Sequence, residues 1–265
     1  MSISREMQIK LTGNRFFQKL LERNVEKSQF LMGIGSGGDV LTSGEQSIFR
    51  VLRKRAIPPY FIFDVGANNG QFLHLVLNNI EVDNFSVHCF EPSQAAFKRL
   101  NESCGDDVRI TLNNIAVGKE KGNAVLYFDN SGSGLASLTK RRLDHFGIDF
   151  NKSEKVASTT IDNYCAENAI GHIHLLKVDI EGHELDVFAG AKTMFDQRSI
   201  DIVTFEFGGC NIDTRTFFQD FWYFFKEVNM KLFRITPSGY LYAIESYKEI
   251  DEQFRTVNYI AVLNG

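Results

Sequence analysis

Short apolar runs alternate with amphipathic segments from residue 60 onward, and this alternation predicts an α/β fold. Each run is apolar at nearly every position, as in strands that are covered on both faces of a parallel sheet. The segments between them repeat apolar residues at helical spacing, so they are predicted to cross over and cover the sheet. The predicted core strands are YFIFDVG, FSVHCFE, VRITLNNIAVG, HLLKVDIEG and DIVTFEFG.

The first 59 residues follow a helical pattern without strands. Residues 5–32 carry apolar positions at a rough helical period, and we expect this helix to pack across the main domain. A second helix is predicted over about 44–56, with Ser43 and Gln46 as a capping box at its start. We therefore expect residues 1–59 to form an N-terminal helical extension or cap.

The remainder, residues 60–265, is predicted to be one α/β domain with an insertion. Between the third and fourth core strands, residues 124–129 and 154–159 predict a hairpin around a polar loop, SGSGLASLTKRR. Small residues in SGSGLASL make this loop a candidate lid. The tail, 230–265, predicts two further strands, MKLFRITPSGYLYAI and NYIAVLNG, which we expect to be antiparallel.

Composition and charge argue against several classes of binding partner and cellular location. The net charge of −4 provides no broad positive field, which argues against general nucleic-acid binding. The four cysteines are far apart and form no CxxC pair, so neither a zinc site nor a disulfide framework is indicated. The N-terminus lacks the apolar core of a secretory signal, and no stretch approaches the roughly 18 apolar residues of a membrane span. We expect a cytoplasmic protein without a membrane span.

The stretch FIFDVGANNGQF places a carboxylate, Asp64, just before a glycine-bearing turn. A dinucleotide fingerprint starting at Gly66 would require glycine where the chain has Asn68 and Gln71. A carboxylate about 4 Å from a pyrophosphate oxygen would be opposed by about 4 kcal/mol at an effective dielectric near 20. The turn therefore disfavours a phosphate-bearing ligand.

A cationic ligand without phosphate, S-adenosylmethionine, fits the same turn. Gly66 and Gly70 would allow close approach of the backbone, and Asn68 tolerates a left-handed conformation better than most residues. Glu91 follows about twenty residues after Gly70, where an acid in this architecture reaches ribose hydroxyls. A tight turn without a ligand is the alternative for this stretch taken alone.

Upstream, MGIGSGGD matches GxGxxG at Gly33, Gly35 and Gly38. No convincing strand precedes it, no helix opens directly after it, and no acid follows at the required distance. We interpret this segment as a mobile or tightly turned stretch rather than a nucleotide loop.

Several motifs together resemble those of one known family. They are the Asp64 turn, Glu91-Pro92, NNIAVG, TTIDNYC and, most specific, LLKVDIEGHE at 175–184. Over residues from about 60 to 208 the sequence resembles the FkbM family of S-adenosylmethionine-dependent methyltransferases. The resemblance implies a Rossmann-like class I methyltransferase fold, with a mostly parallel seven-stranded sheet whose last strand is antiparallel. It also implies O-methylation of a hydroxyl on a sugar, glycolipid or other natural product.

The expected cofactor contacts lie in the first turn, at the end of the second strand, in NNIAVG and after the fourth strand. Asn114 is the residue expected to hydrogen-bond adenine. The full set is Asp64, Gly66, Asn68, Gly70, Glu91, Pro92, Ser93, Asn114, Ala116 and Asp179.

Methyl transfer to a hydroxyl needs an aligned acceptor and a base for its proton. Ligands of open α/β sheets gather at the carboxyl ends of strands, where Asp179, Glu181 and His183 follow the fourth strand. We expect Asp179 to be the base, with Glu181 and His183 behind it, since histidine titrates near neutrality. The crowded acids could hold Mg²⁺, but no ligand spacing requires it, and we expect no metal site.

Two other functional classes stay open at this point. One is an NAD-dependent oxidoreductase or epimerase, and the other is a cofactor-binding module without turnover. The aromatic segment FFQDFWYFF is expected to pack in the core or an interface, and Lys140, Arg141 and Arg142 are expected to be a solvated charge run. The acceptor is expected to be a small molecule or a glycan, and a homo-oligomer stays open.

Overall fold

The computed structural model describes residues 5–38, 42–80, 84–104 and 106–265. Its strands fall into a large sheet and a small one. In chain order the strands are β1 (Tyr60–Val65), β2 (Phe85–Phe90), β3 (Ile110–Asn113), β4 (Ala116–Val117), β5 (Gly122–Phe128), β6 (Lys152–Thr159), β7 (Leu175–Val178), β8 (Ile202–Phe207), β9 (Met230–Ile235), β10 (Leu241–Ala243) and β11 (Val257–Leu263).

The large sheet has the order β10-β9-β11-β8-β7-β1-β2-β3. Strands β1, β2, β3, β7 and β8 pair in parallel, and β11 lies antiparallel between β8 and β9. The predicted α/β class I architecture and its antiparallel last strand are therefore confirmed. All of the parallel strands end at the same edge of the sheet, which is where a ligand site is expected.

The predicted count of seven strands was wrong, because the large sheet has eight. The extra strand, β10, comes from MKLFRITPSGYLYAI, which was predicted to be a single strand. Its TPSG segment forms a tight turn in which Thr236 and Tyr240 hydrogen-bond each other and Gly239 has a φ of 74°. The turn reverses the chain, so β10 pairs antiparallel with β9 at the sheet edge.

The small sheet has the order β4-β6-β5. Strands β5 and β6 pair antiparallel, which confirms the predicted inserted hairpin. The predicted strand VRITLNNIAVG is divided after Asn113, so that β3 joins the large sheet and β4 pairs in parallel with β6. After β3 the chain therefore leaves the large sheet and enters the small one.

The helices cover both faces of the large sheet, and three of them precede its first strand. They are α1 (Arg5–Thr12), α2 (Arg15–Leu31), α3 (Ser47–Arg55), α4 (Gln71–Asn79), α5 (Gln94–Cys104), α6 (Ile161–Glu167), α7 (Glu184–Ala189), α8 (Lys192–Asp196), α9 (Cys210–Thr214) and α10 (Phe218–Glu227), with 3₁₀ turns at Asp144–Phe146 and Glu249–Asp251.

Helix α2 does not pack across the domain as predicted. None of its residues is buried, and Phe16 and Leu31 are 70% and 77% exposed. Helix α3, in contrast, buries Ile48, Phe49 and Leu52 against α4 and the strands beside it. The boundary predicted after residue 59 stays a prediction about domain organisation.

Aromatic side chains of α10 complete the core on the opposite face. Phe218, Phe221 and Phe225 are fully buried, and Phe221 stacks on Phe205 of β8 with 4.8 Å between ring centroids. The expectation of core packing for FFQDFWYFF is therefore confirmed for these three rings. Among the described residues, no helix is both long enough and apolar enough to cross a membrane.

Candidate active site

Two adjacent cavities open at the carboxyl ends of β1, β2, β7 and β8. The first, of about 60 Å³, lies between the ends of β1 and β2 and the residues 133–138 of the insertion. The second, of about 700 Å³, lies between the segment before α3, helix α4, the ends of β7 and β8 and the start of β11. Both are lined by Gly66, Asn68, Gly134, Asp179 and Glu181. The two cavities therefore lie side by side along these residues.

Glu91 is the polar anchor of the first cavity. One carboxylate oxygen accepts from the backbone N–H of Asn68 and the other from that of Ser93, both at 2.8 Å. Burial raises the pKa of Glu91 to about 7, although these two hydrogen bonds oppose the shift. Each oxygen retains a further lone pair, so the carboxylate can accept two hydroxyl groups from a ligand in the cavity.

Apolar side chains form the other walls of the first cavity. They belong to the ends of β2 and β4, to β5 and to the insertion loop, namely Phe90, Pro92, Ile115, Ala116, Val117, Leu126 and Leu138. This combination of a carboxylate and an apolar slot suits a ribose attached to a planar base. Asn114 lies behind this wall, where its Nδ2 donates to the carbonyl oxygens of Glu91 at 2.9 Å and Pro92 at 3.1 Å.

The turn after β1 takes the conformation that its residues predict. Asn68 is left-handed with a φ of 47°, and its Oδ1 is buried without a hydrogen-bond partner among the described residues. Gly66 also has a positive φ, and a Cβ there would collide with the carbonyl oxygen of Asp179. Gly70 has no room for a Cβ beside Leu100. Both glycines are thus required by the packing of the turn, and Gly66 also lines both cavities.

Asp64 lies beneath the cavities and lines neither of them. It is fully buried, and its Oδ1 lies 3.3 Å from Nζ of Lys177, its register partner on β7. The same Nζ lies 3.4 Å from Oδ2 of Asp179. Burial alone would lower the pKa of Lys177, but the carboxylates of Asp64, Asp179 and Glu45 outweigh it and raise the pKa above its usual range. Lys177 is therefore a buried ammonium that links the floor of the site to Asp179.

The three predicted catalytic residues differ in what they contact. Asp179 is 41% exposed at its side chain and lines both cavities. Glu181 lines them too, but its carboxylate is paired with Arg141. His183 is engaged at both nitrogens, with Asp186 at 2.7 Å and with the hydroxyl of Thr139 at 3.0 Å, and it lines neither cavity. Asp179 is thus the one of the three with both an open carboxylate and a buried cationic neighbour.

Arg141 is not part of a solvated charge run as predicted. Its side chain is buried, and its guanidinium contacts Glu181 and also Asp213, with Nε 3.5 Å from the Asp213 carboxylate. Together with the hydroxyl of Ser137, which donates to the carbonyl oxygen of Glu181 at 2.9 Å, it ties the insertion loop to the turn after β7. This loop, the predicted lid, forms one wall of the first cavity. Its opening and closing stay a prediction.

The structure thus brings some predicted residues to the cavities and leaves others behind them. Those at the walls are Gly66, Asn68, Glu91, Pro92, Ala116, Asp179 and Glu181. Those behind the walls are Asp64, Gly70, Ser93, Asn114 and His183. Ligand contacts of all these residues stay predictions.

The second cavity also contains an acid, Glu45, that the sequence motifs did not identify. Glu45 is buried at its wall and accepts a hydrogen bond from Ser43 Oγ at 2.7 Å. The predicted capping box is not formed, because α3 begins at Ser47 and Gln46 makes no side-chain cap. The residues around Glu45 in the sequence do not indicate that it belongs to a site. The residues around Lys177 do, because a lone lysine in the buried strand LLKV requires an acid on a neighbouring strand.

The carboxylates of the second cavity are not arranged as a metal site. Among the described residues, the one group whose ligand atoms all lie within 4.8 Å of one another is His172, His174 and Asp201. That group lies before β7, at the opposite edge of the sheet, where His172 Nε2 contacts Asp201 at 2.9 Å and His174 Nδ1 accepts from the N–H of Phe61.

Replacing Glu45 by glutamine is expected to stabilise the fold at alkaline pH. Burial raises the pKa of Glu45 from 4.5 to about 7, so protonation favours the folded state below pH 4.5 and this contribution is lost as the pH rises through 7. Glutamine can still accept from Ser43 but never ionises. We expect Glu45→Gln to gain on the order of 2 kcal/mol at about pH 8 and much less near pH 5.

Chemical denaturation of both proteins at the two pH values measures this difference. Glu102→Gln, on the exposed face of α5, is the matched control. A gain that is independent of pH would contradict the assignment to ionisation of Glu45.

Two curated relatives align with part of the chain. The 2-O-methyltransferase NoeI of Sinorhizobium fredii is 28% identical over 148 residues, which cover 51% of this chain and 58% of the relative. The hexuronic acid methyltransferase AglP of Haloferax volcanii is 25% identical over 165 residues, which cover 62% of this chain and 64% of the relative. The chain therefore spans less than two thirds of the length of either protein.

Solved structures and a family model give the remaining comparisons. A methyltransferase FkbM from Methylobacillus flagellatus KT superposes with a TM-score of 0.45 at 14% identity, over 90% of this chain and 59% of that one. The family model described as the methyltransferase FkbM domain matches residues 64–253, which is more than half of the chain. That match contains the Asp64 turn, Glu91 and LLKVDIEGHE. The resemblance inferred from these motifs is therefore confirmed, and the chain belongs to the FkbM family of methyltransferases.

Proposed function

We propose that this protein transfers a methyl group from S-adenosylmethionine to a hydroxyl group of a sugar or sugar-containing small molecule. The observation that carries the proposal is that the two cavities lie side by side along Asp179, which lines both. One cavity offers a carboxylate and an apolar slot for a nucleoside, and the other offers a polar chamber for an acceptor. The shared wall at Gly66 and Asp179 is where the two ligands would meet.

The residues of the first cavity fit the nucleoside part of the cofactor. Glu91 would accept hydrogen bonds from the ribose hydroxyls, and the slot between Phe90 and Val117 would hold the base. The unpartnered Oδ1 of Asn68 can accept from a donor on the ligand. When bound, S-adenosylmethionine supplies an electrophilic methyl group on a sulfonium centre, which the carboxylates around Asp179 would favour electrostatically.

Asp179 would take the proton of the acceptor hydroxyl. Its side chain lines both cavities, and its Oδ2 lies 3.4 Å from the ammonium of Lys177. Glu181 is less suited to this role, because Arg141 already occupies its carboxylate. Placing the hydroxyl against Asp179 would align it with the cofactor in the shared region, and such alignment supplies much of the catalysis in a displacement reaction.

A sugar acceptor is supported by the relatives and by the second cavity. One curated relative is described as a 2-O-methyltransferase and the other as a hexuronic acid methyltransferase. The second cavity presents side chains that can exchange hydrogen bonds with hydroxyl groups, including Glu45, Gln71, Asn78, Glu206 and Asn258.

Binding of the cofactor is expected to depend on Glu91 in its ionised form. Glu91→Gln should weaken the affinity for S-adenosylmethionine about tenfold or more, since hydrogen bonds to a charged group contribute about 1.5–3 kcal/mol. Because the pKa of Glu91 is about 7, wild-type affinity should fall as the pH drops below that value, whereas the variant should lack this dependence.

Isothermal titration across this pH range measures both effects, with Glu102→Gln as the control. Transfer of a radiolabelled methyl group to a panel of glycosides tests the reaction itself. Absence of saturable binding at millimolar cofactor would contradict the proposed function.

A further inference from the structure

The second cavity has an excess of acidic groups. Of its described lining residues, four carry a carboxyl group, Glu45, Asp179, Glu181 and Glu206, and one is a lysine, Lys177. The ammonium of Lys177 already contacts the carboxylates of Asp64 and Asp179. No lysine or arginine among the described residues of this wall is therefore left over to pair with a negatively charged ligand.

Glu206 shows how strongly this region disfavours further negative charge. Burial raises its pKa well above the usual value, and the neighbouring carboxylates of Asp179, Glu181, Glu184 and Glu45 raise it further. A ligand carboxylate placed beside one of these acids in its ionised form would be repelled by it, whereas an uncharged ligand would not.

Asn258 provides an independent sign of a ligand with hydroxyl groups. It is 7% exposed, it lines the second cavity, and its Nδ2 has no hydrogen-bond partner among the described residues. It faces Glu206 directly, as its register partner across β8 and β11. An unpaired buried donor is destabilising, and a ligand oxygen that accepts from it would remove that cost.

Glu206 and Asn258 together form a complementary pair for a diol. The carboxyl group of Glu206 lines the cavity and can exchange a hydrogen bond with one hydroxyl group. The Nδ2 of Asn258 can donate to the oxygen of the next hydroxyl. Directly opposed residues on antiparallel strands have Cβ atoms about 4.5–5.5 Å apart, so two such side chains can reach hydroxyl groups of the same sugar ring.

We propose that the second cavity selects a sugar without a carboxylate, and that Glu206 and Asn258 hold two of its hydroxyl groups. This inference rests on the proposed function and specifies its acceptor. It separates this chain from a hexuronic acid methyltransferase, whose acceptor carries a carboxylate.

The test compares matched pairs of acceptors that differ in one carboxylate. Methyl glucoside, galactoside and mannoside are assayed against the corresponding methyl uronides at about pH 8. We expect kcat/KM to be about 100-fold higher for the neutral members, as one uncompensated charge contact predicts. Glu206→Lys should reduce this ratio about tenfold, because it places a cation where the carboxylate of a uronide would lie. Glu102→Gln should leave the ratio unchanged.

A second variant tests the other member of the pair. Asn258→Ala should raise KM for the neutral sugars about tenfold, with a smaller change in kcat, as expected for loss of one hydrogen bond to the acceptor. Equal or faster transfer to the uronides would overturn the charge selection and leave the methyltransferase function standing. Loss of transfer to every pair, together with no binding of S-adenosylmethionine, would overturn both.

Discussion

Asp179→Asn is expected to lower kcat by about 10²–10⁴-fold, the range in which a positioned general base contributes. The amide has the same shape as the carboxylate but cannot take the acceptor proton. Asp179 is the accessible acid that lines both cavities, and its Oδ2 lies 3.4 Å from the ammonium of Lys177. The variant also removes a charge near the cofactor, so kcat should be measured at saturating S-adenosylmethionine.

Asp196→Asn, on the exposed surface of α8, is the matched control and should leave kcat unchanged. Titration calorimetry should show that the Asp179 variant still binds the cofactor within about tenfold of the wild-type affinity. If kcat stayed within about threefold of the wild-type value, Asp179 could not be the base, since the loss would be under 1 kcal/mol.

Lys177→Met is expected to lower the free energy of unfolding by about 3–5 kcal/mol, the cost of removing one partner from a buried ion pair. Asp64 would then be left with its carboxylate fully buried, since neither oxygen accepts a hydrogen bond of good geometry within the described chain. Adding Asp64→Asn removes the isolated charge. The double variant should therefore be more stable than the Lys177→Met variant alone.

Denaturant unfolding of the single and double variants measures this coupling. Lys192→Met removes a lysine from an exposed ion pair with Asp196 and should change stability by less than about 1 kcal/mol. A Lys177→Met variant as stable as wild type would show that Asp64 does not depend on the ammonium of Lys177. The position of Asp64 beneath the site would then need an explanation other than its ion pair with Lys177.

The first turn shows which features of the site can be predicted from residues that are neighbours in the sequence. Asn68 was predicted from its residue type to tolerate a left-handed conformation, and it has one. Glu91 was predicted to follow the second strand at the distance of a ribose-binding acid, and it lies at the cavity wall. Both predictions depend on short segments whose conformation is set by neighbouring residues. The role given to Asp64 depended on the direction of a side chain, and that direction is set by a partner on another strand.

The contacts made around the acids after β7, in contrast, could not be predicted from neighbouring residues in the sequence. His183 was predicted to assist the base from its place in LLKVDIEGHE, yet Thr139 and Asp186 engage both of its nitrogens. Thr139 belongs to the insertion, about forty residues earlier in the chain. Arg141, predicted to be solvated, is buried for the same reason, because the insertion folds back onto the turn after β7.

The sequence by itself determined the α/β architecture, the position of the first turn, the buried aromatic face of α10 and the family. These features arise from the periodicity of apolar residues and from motifs a few residues long, which act through local geometry. Only the tertiary structure decided that Lys177 covers Asp64, that Glu45 joins the second cavity from the N-terminal segment, and that Glu206 faces Asn258. These contacts join residues far apart in the chain, and they exist because the order and register of the strands bring particular side chains to the same face of the sheet.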